Sequence, residues 1–202
     1  MKRQDEEIIR TSFDARKPFP LEDESVELIV TDPPWAFNDL YPGNYRVLKY
    51  DVIKDLSFSL QECYRVLKKD AHCYIFVPNQ HLPTLFEVLK GTGFRYKQLI
   101  IWVKNTMGLG YSYRGKTESA VFLAKEPYKK KIKTRKLGNV FFAQNPYHQR
   151  KPVSILRVFV EQSSDDGDVV FDPFAGSGSI AKVGLDRRFW INDVVYGEVE
   201  EK

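Results

Sequence analysis

Residues 168–181, DVVFDPFAGSGSIA, constrain the fold more than any other stretch. An apolar run breaks into a tight turn carrying two glycines, then resumes in small and apolar residues. The pattern predicts a strand, a glycine turn and the start of a helix. Gly176, Gly178 and Ala181 fit G-x-G-x-x-G/A, and Asp193 closes the next apolar run, RFWIND. Glycines let backbone approach a ligand closely, and a carboxylate at the end of the following strand accepts hydrogen bonds from ribose hydroxyls. Taken alone, the turn suits a nicotinamide dinucleotide, another adenosine-containing ligand, or a tight turn with no ligand.

The rest of the chain alternates strand and helix, which predicts an α/β layered fold. Strands are expected at 8–12, 26–31, 71–78, 98–104, 118–125, 168–174 and 188–193. Helices are expected at 51–68, from the spacing of Ile53, Leu56, Leu60, Cys63, Tyr64 and Leu67, and at 82–90, closed by Gly91. A third is expected at 152–162, opened by proline. The glycine turn comes late, so the strands that commonly follow such a unit must precede it. The order reads as circularly permuted.

A second motif ends a strand. TDPPWAF (31–37) follows the apolar run VELIV directly. Prolines stop a strand because they supply no N–H to the ladder. In an open α/β sheet, ligands collect beyond the carboxyl ends of strands, where strand order reverses. Asp32-Pro33-Pro34-Trp35 and the glycine turn should therefore border one crevice.

Bulk properties narrow the class. The 202 residues fit one domain, 43% hydrophobic and 29% charged. No apolar stretch reaches the ~18 residues that span a membrane, and MKRQDEEIIR lacks the apolar core of a signal peptide. Cys63 and Cys73 have no metal-ligand spacing and read as reduced core residues, so a cytoplasmic setting is expected. His72, His81 and His148 are scattered and predict no metal site. A net charge of +4 permits a polyanionic partner.

The two motifs, in this order, resemble the S-adenosylmethionine-dependent DNA amino-methyltransferases of the permuted β class. That family carries D-P-P-Y/W/F or S-P-P-Y/W as its catalytic motif and F-x-G-x-G at its cofactor site. IIRTSFDARKPFPLEDESVELIVTDPPW resembles the family's opening, and HQRKPVSILRVFVEQSSDDGDVVFDPFAGSGS its helix and strand around the cofactor. WVKNTMGLGYSYRGKTESAVFLAK resembles the late hairpin, and is also similar to the eukaryotic mRNA adenosine methyltransferases.

The resemblance implies a Rossmann-like methyltransferase fold, mostly parallel with a late antiparallel hairpin. It implies a single domain over 1–202, with a short basic segment (125–150) in place of a large target-recognition domain. S-adenosyl-L-methionine is the implied cofactor. Asp14 matches the acid near its adenine and Asp193 the acid on its ribose. Lys151, Asp172, Pro173, Phe174, Ala175, Gly176, Ser177 and Gly178 match the remaining cofactor-binding positions.

The implied chemistry is methylation of an exocyclic amine. The Asp32 carboxylate and the Pro33 carbonyl accept hydrogen bonds from the amine, Pro34 stiffens the loop, and Trp35 offers a face for an extruded base, worth about 1–3 kcal/mol. Aspartate at the first position suits N6 of adenine; N4 of cytosine and adenosine in RNA are the alternatives. A catalytically silent partner subunit is the reading from a different class.

Nucleic acid is the expected partner, DNA before RNA, with a homodimer or a partner subunit as a source of recognition. Seven of the twelve residues from Lys125 to Lys136 are basic. Lys129, Lys130, Lys131, Lys133 and Arg135 are candidates to track phosphates. Tyr41 and Tyr45 are candidates to close over a base, and Arg114 to contact a phosphate.

Overall fold

The computed structural model describes residues 7–35, 52–108, 113–144 and 150–193. They build one eight-stranded sheet with helices on both faces. In chain order the strands are β1 (Ile8–Thr11), β2 (Val26–Thr31), β3 (Leu67–Val77), β4 (Arg95–Val103), β5 (Thr117–Ala124), β6 (Val140–Phe142), β7 (Val169–Asp172) and β8 (Arg188–Asn192). The helices are α1 (Val52–Val66), α2 (Leu82–Leu89) and α3 (Val153–Ser163). No helix among the described residues is long and apolar enough to cross a membrane.

Across the sheet the order is β1-β8-β7-β2-β3-β5-β4-β6. Every pairing is parallel except the two that β5 makes, with β3 and with β4. The late pair β4–β5 is the expected antiparallel hairpin. The permuted order is visible in β7 and β8, which enter late and insert between β1 and β2.

Central strands are apolar on both faces because both faces are covered. Alternate residues sort cleanly. Ile29, Cys73, Ile75, Val121 and Phe171 face α1 and α2, while Leu28, Val30, Tyr74, Phe76, Phe122 and Val170 face α3. Both cysteines are free and buried, as expected of core thiols.

Local departures have local causes. In α1, Leu56, Leu60 and Cys63 are fully buried, but Ile53 is 58% exposed and Leu67 already belongs to β3. The helix expected after the glycine turn is only a 3-10 turn, Ser179–Lys182. Gly184 at φ +66 stops it soon after. β6 was not anticipated from its sequence; it is a three-residue edge strand held by β4.

Candidate active site

The topology selects one point on the sheet edge. β2 continues to β3 on one side, and β7 continues to β8 on the other, while β2 and β7 lie side by side. This is the switch point at which open α/β sheets gather ligands. Asp32 follows β2 directly and Asp172 ends β7. The two sequence motifs therefore border one crevice, as their position at strand ends predicts.

Hydrogen bonds join them. The Thr31 hydroxyl donates to the Asp172 carboxylate at 2.7 Å, and the Phe174 N–H donates to the same oxygen at 3.1 Å. Asn192 stitches the neighbouring loops together. Its amide N–H donates to the carbonyls of Phe13 (3.0 Å) and Pro173 (3.2 Å), and its carbonyl accepts the Phe13 N–H at 2.9 Å. The glycine turn follows, with Gly176 at φ +49 and Gly178 at φ +65, conformations that L side chains rarely adopt. The Gly176 N–H donates to the Asp193 carboxylate at 2.9 Å. Among the described residues, a Cβ at Gly176 would meet nothing within 4 Å.

Asp14 stands beyond β1 at the same end. Its segment is held by α1: Glu62 accepts the Phe19 N–H at 2.7 Å, and the Ser59 hydroxyl donates to the Ala15 carbonyl at 2.7 Å. Arg16 grips Asp14 through its backbone and guanidinium N–H groups, holding that carboxyl below the usual range. Asp172 is the opposite case. Burial pushes its carboxyl up to about 7 despite the bonds from Thr31 and Phe174, and the charges of Asp32 and Asp193 add to the push.

Asp32 is one end of a chain of four charges. Lys151 donates to its carboxylate and also lies 2.9 Å from Glu118, and Lys104 lies 2.6 Å from the other oxygen of Glu118. Side-chain exposure is 30% for Asp32, 13% for Lys151 and 10% for Glu118. Burial pulls the Lys151 ammonium down, but Asp32 and Glu118 outweigh it and keep it above the ordinary lysine value. Burial pushes Glu118 up, and Lys151 and Lys104 outweigh it in turn. At Asp32 burial is the largest influence and raises the carboxyl, with Lys151 pulling against it. Lys151 thus meets the catalytic-motif acid directly.

Sequence reading missed Lys104, Glu118 and Asn192. A carboxylate opening the otherwise apolar ESAVFLAK was a usable signal, because a charge in a buried strand needs a partner.

Pro33 is buried and Pro34 exposed. Trp35 is no open face: it is only 8% exposed, its indole N–H donates to the Phe76 carbonyl at 3.1 Å, and its ring stacks on His81 at 5.7 Å. The basic run lies at the far end of the sheet. Lys125 is 6% exposed, and its ammonium donates to the carbonyls of Tyr64 and Leu67 at the end of α1. The N–H groups of Lys129 and Lys130 bind Asp70, at the entry of β3. Lys131 follows, and Lys133 pairs with Asp165 just past the C-terminal end of α3. Arg135 is exposed beside that end. None of these joins the crevice, because β3 and β5 carry their neighbours to the end opposite Asp32. Arg114 is on the correct side, exposed in the β4–β5 connection, with its Nε donating to the Gly108 carbonyl at 2.9 Å. Tyr41 and Tyr45 lie outside the described residues.

Near Lys104 a cleft of about 300 Å³ opens between β4 and β6, lined by Asn105, Lys116, Phe142 and Gln144 among others.

A mostly parallel sheet with an acid-proline motif and a glycine turn at its switch point defines an α/β domain of the Rossmann-like kind. Residues 26–189 match the model of the N6_N4_Mtase family, described as DNA methylase, and the chain belongs to that family. It is 28% identical over 193 residues to the type II methyltransferase M.HpaI of Haemophilus parainfluenzae, covering 79% of this chain and 60% of that protein. Solved structures that share the fold include the following two. One is TTHA0409 of Thermus thermophilus, a putative DNA modification methylase complexed with S-adenosyl-L-methionine, with a TM-score of 0.73 and 21% identity over 96% of this chain and 92% of that one. The other is the PvuII DNA methyltransferase, cytosine-N4-specific, with a TM-score of 0.73 and 16% identity over 93% and 82%.

Proposed function

We propose that this protein transfers the methyl group of S-adenosylmethionine to the exocyclic N6 amine of adenine in DNA. The observation that carries the proposal is the Thr31–Asp172 hydrogen bond, which locks the Asp-Pro-Pro-Trp loop against the glycine-turn strand at the switch point.

The crevice suits the cofactor. The left-handed backbone at Gly176 carries no side chain against an approaching ligand, and Asp193 beside it suits ribose hydroxyls. The Asp193 carboxylate at the turn attracts a ligand that bears sulfonium and ammonium charges. When bound, S-adenosylmethionine supplies an electrophilic methyl group. Asp14 would hold its adenine end, and residues 172–178 its middle.

The chain's own groups act on the amine. The lone pair of an adenine amine is delocalised into the ring, so the nitrogen is a poor nucleophile. Hydrogen bonds donated by the amine to the Asp32 carboxylate and the Pro33 carbonyl favour a tetrahedral nitrogen and free the lone pair for in-line attack. The nitrogen gains a methyl and gives up one proton, and Asp32 is the acceptor that faces it. An amine inside a duplex is out of reach of the Asp-Pro-Pro-Trp loop unless its nucleotide leaves the stack, so base flipping is part of the reading. Aspartate at residue 32 favours adenine, while the cytosine-specific fold relative keeps N4 of cytosine as the second reading.

The test is product identification. Protein incubated with CD3-labelled S-adenosylmethionine and pools of DNA or RNA is expected to yield labelled N6-methyladenine from DNA. Labelled N4-methylcytosine, or product from RNA alone, overturns the substrate assignment. Cofactor binding without product in any pool overturns the enzymatic reading in favour of a silent subunit.

A further inference from the structure

Lys151 sits on the group that the reaction needs. Its ammonium contacts the Asp32 carboxylate, which on the reading above must accept hydrogen bonds from the target amine. Engagement of the amine therefore takes a carboxylate oxygen away from a lysine that is largely buried. An ammonium stripped of its anion in such a place costs several kcal/mol. A lysine with Asp32 as its single partner would resist the exchange, or shed its proton.

Glu118 removes that difficulty. It lies 2.9 Å from Lys151, only 10% exposed, and is held from the other side by Lys104 at 2.6 Å. Its backbone is pinned in the sheet interior: Glu118 of β5 registers against Trp102 of β4, and Lys104 lies two residues beyond Trp102, on the same face. The Lys104 ammonium also rests 4.8 Å from the Trp102 ring centre, and that of Lys151 5.4 Å from the ring centre of Phe76. Two cations and two anions alternate from Lys104 to Asp32, so the chain is neutral as a whole.

We infer that Glu118 is a positioning residue that holds Lys151 when the target amine takes Asp32. Lys151 shifts its weight from Asp32 to Glu118 and remains charged, leaving the Asp32 oxygens to the amine. Lys104 keeps Glu118 in place during the exchange. The inference rests on the proposed role of Asp32.

Lysine labelled at 13Cε and 15Nζ tests it without turnover, with the Lys151 signal assigned by its loss in Lys151→Met. In Asp32→Asn the Lys151 pKa is expected to stay at or above the ordinary value of about 10.4. In Asp32→Asn/Glu118→Gln it is expected to fall by about one unit or more below that value. A fall of equal size in Asp32→Asn alone overturns the inference. In turnover, Glu118→Gln is expected to lower kcat by about tenfold or more with S-adenosylmethionine affinity within about twofold of wild type. Glu118→Asp, which keeps the charge, should recover part of the loss, and it replaces Glu118→Gln should that variant fail to fold. A wild-type kcat in Glu118→Gln overturns the inference. Wild-type protein that methylates nothing overturns the proposed function instead, and the lysine titration still reads Glu118.

Discussion

The Thr31 hydroxyl donates a 2.7 Å hydrogen bond to Asp172, joining residues 141 apart in the chain. Both are buried, Thr31 at 1% and Asp172 at 8% exposure. The contact fixes the strand end that carries Asp32 to the strand end that opens the glycine turn. The Asp-Pro-Pro-Trp loop and the glycine turn are thereby held in one frame.

Asp172 gives the fold a pH dependence of known sign. Its carboxyl rises from 3.8 to about 7 on folding. Between those values the native state binds more protons than the unfolded state, so this residue makes stability fall as pH rises, with no further loss above about 7. His72 acts oppositely: burial lowers it to about 4, so its contribution is lost as pH falls. Comparing wild type with Asp172→Asn isolates the aspartate. Between pH 5 and pH 7 the wild type should lose about 2–3 kcal/mol more than the variant in urea denaturation, at about 1.4 kcal/mol per pH unit. Parallel pH profiles would remove the raised pKa from the account.

Gly176 separates folding from ligand binding. At φ +49 an alanine is strained, yet its Cβ would meet no atom of the described residues within 4 Å. Gly176→Ala should lower stability by only about 1 kcal/mol. S-adenosylmethionine affinity, read by calorimetry, should fall by about tenfold or more, because the added methyl projects into the space that the ligand needs. Unchanged affinity would move the cofactor away from the turn.

Trp35 is a core residue as well as a motif residue. Trp35→Ala should cost about 3–5 kcal/mol by chemical denaturation, from the cavity and the lost bond to Phe76. Trp35→Phe should retain more of the stability. A stable Trp35→Ala protein would show that the ring contributes mainly to substrate binding.

The basic run offers a contrast between the two ends of the sheet. Lys129, Lys130 and Lys131 lie opposite Asp32, and Lys129 and Lys130 meet Asp70 through backbone N–H groups. Changing all three side chains to Gln should leave methylation of a short DNA duplex within about twofold of wild type. Lys116→Gln, beside the cleft at the Asp32 end, should weaken binding and reduce its salt dependence. The reverse ranking would put the nucleic acid across the far end.

What the sequence disclosed follows from the range of each interaction. The strand VELIVT and the turn at Gly176 and Gly178 were legible because period, proline and glycine act within a few residues. Their convergence was legible too, since strand ends in a parallel sheet gather on one side. The charge chain was not, because Glu118 and Lys151 meet through strand register and the start of α3. The place of the basic run was not legible, because charge density carries no information about which end of the sheet it caps. β6 escaped notice because three residues on an edge draw their order from β4.

The central claim is that Asp32 activates the amine without holding the cofactor. Labelled methyl transfer by Asp32→Ala, paired with calorimetric S-adenosylmethionine binding, tests it most directly. The account predicts loss of transfer by about a thousandfold or more with cofactor affinity largely retained. Wild-type turnover by Asp32→Ala would contradict it.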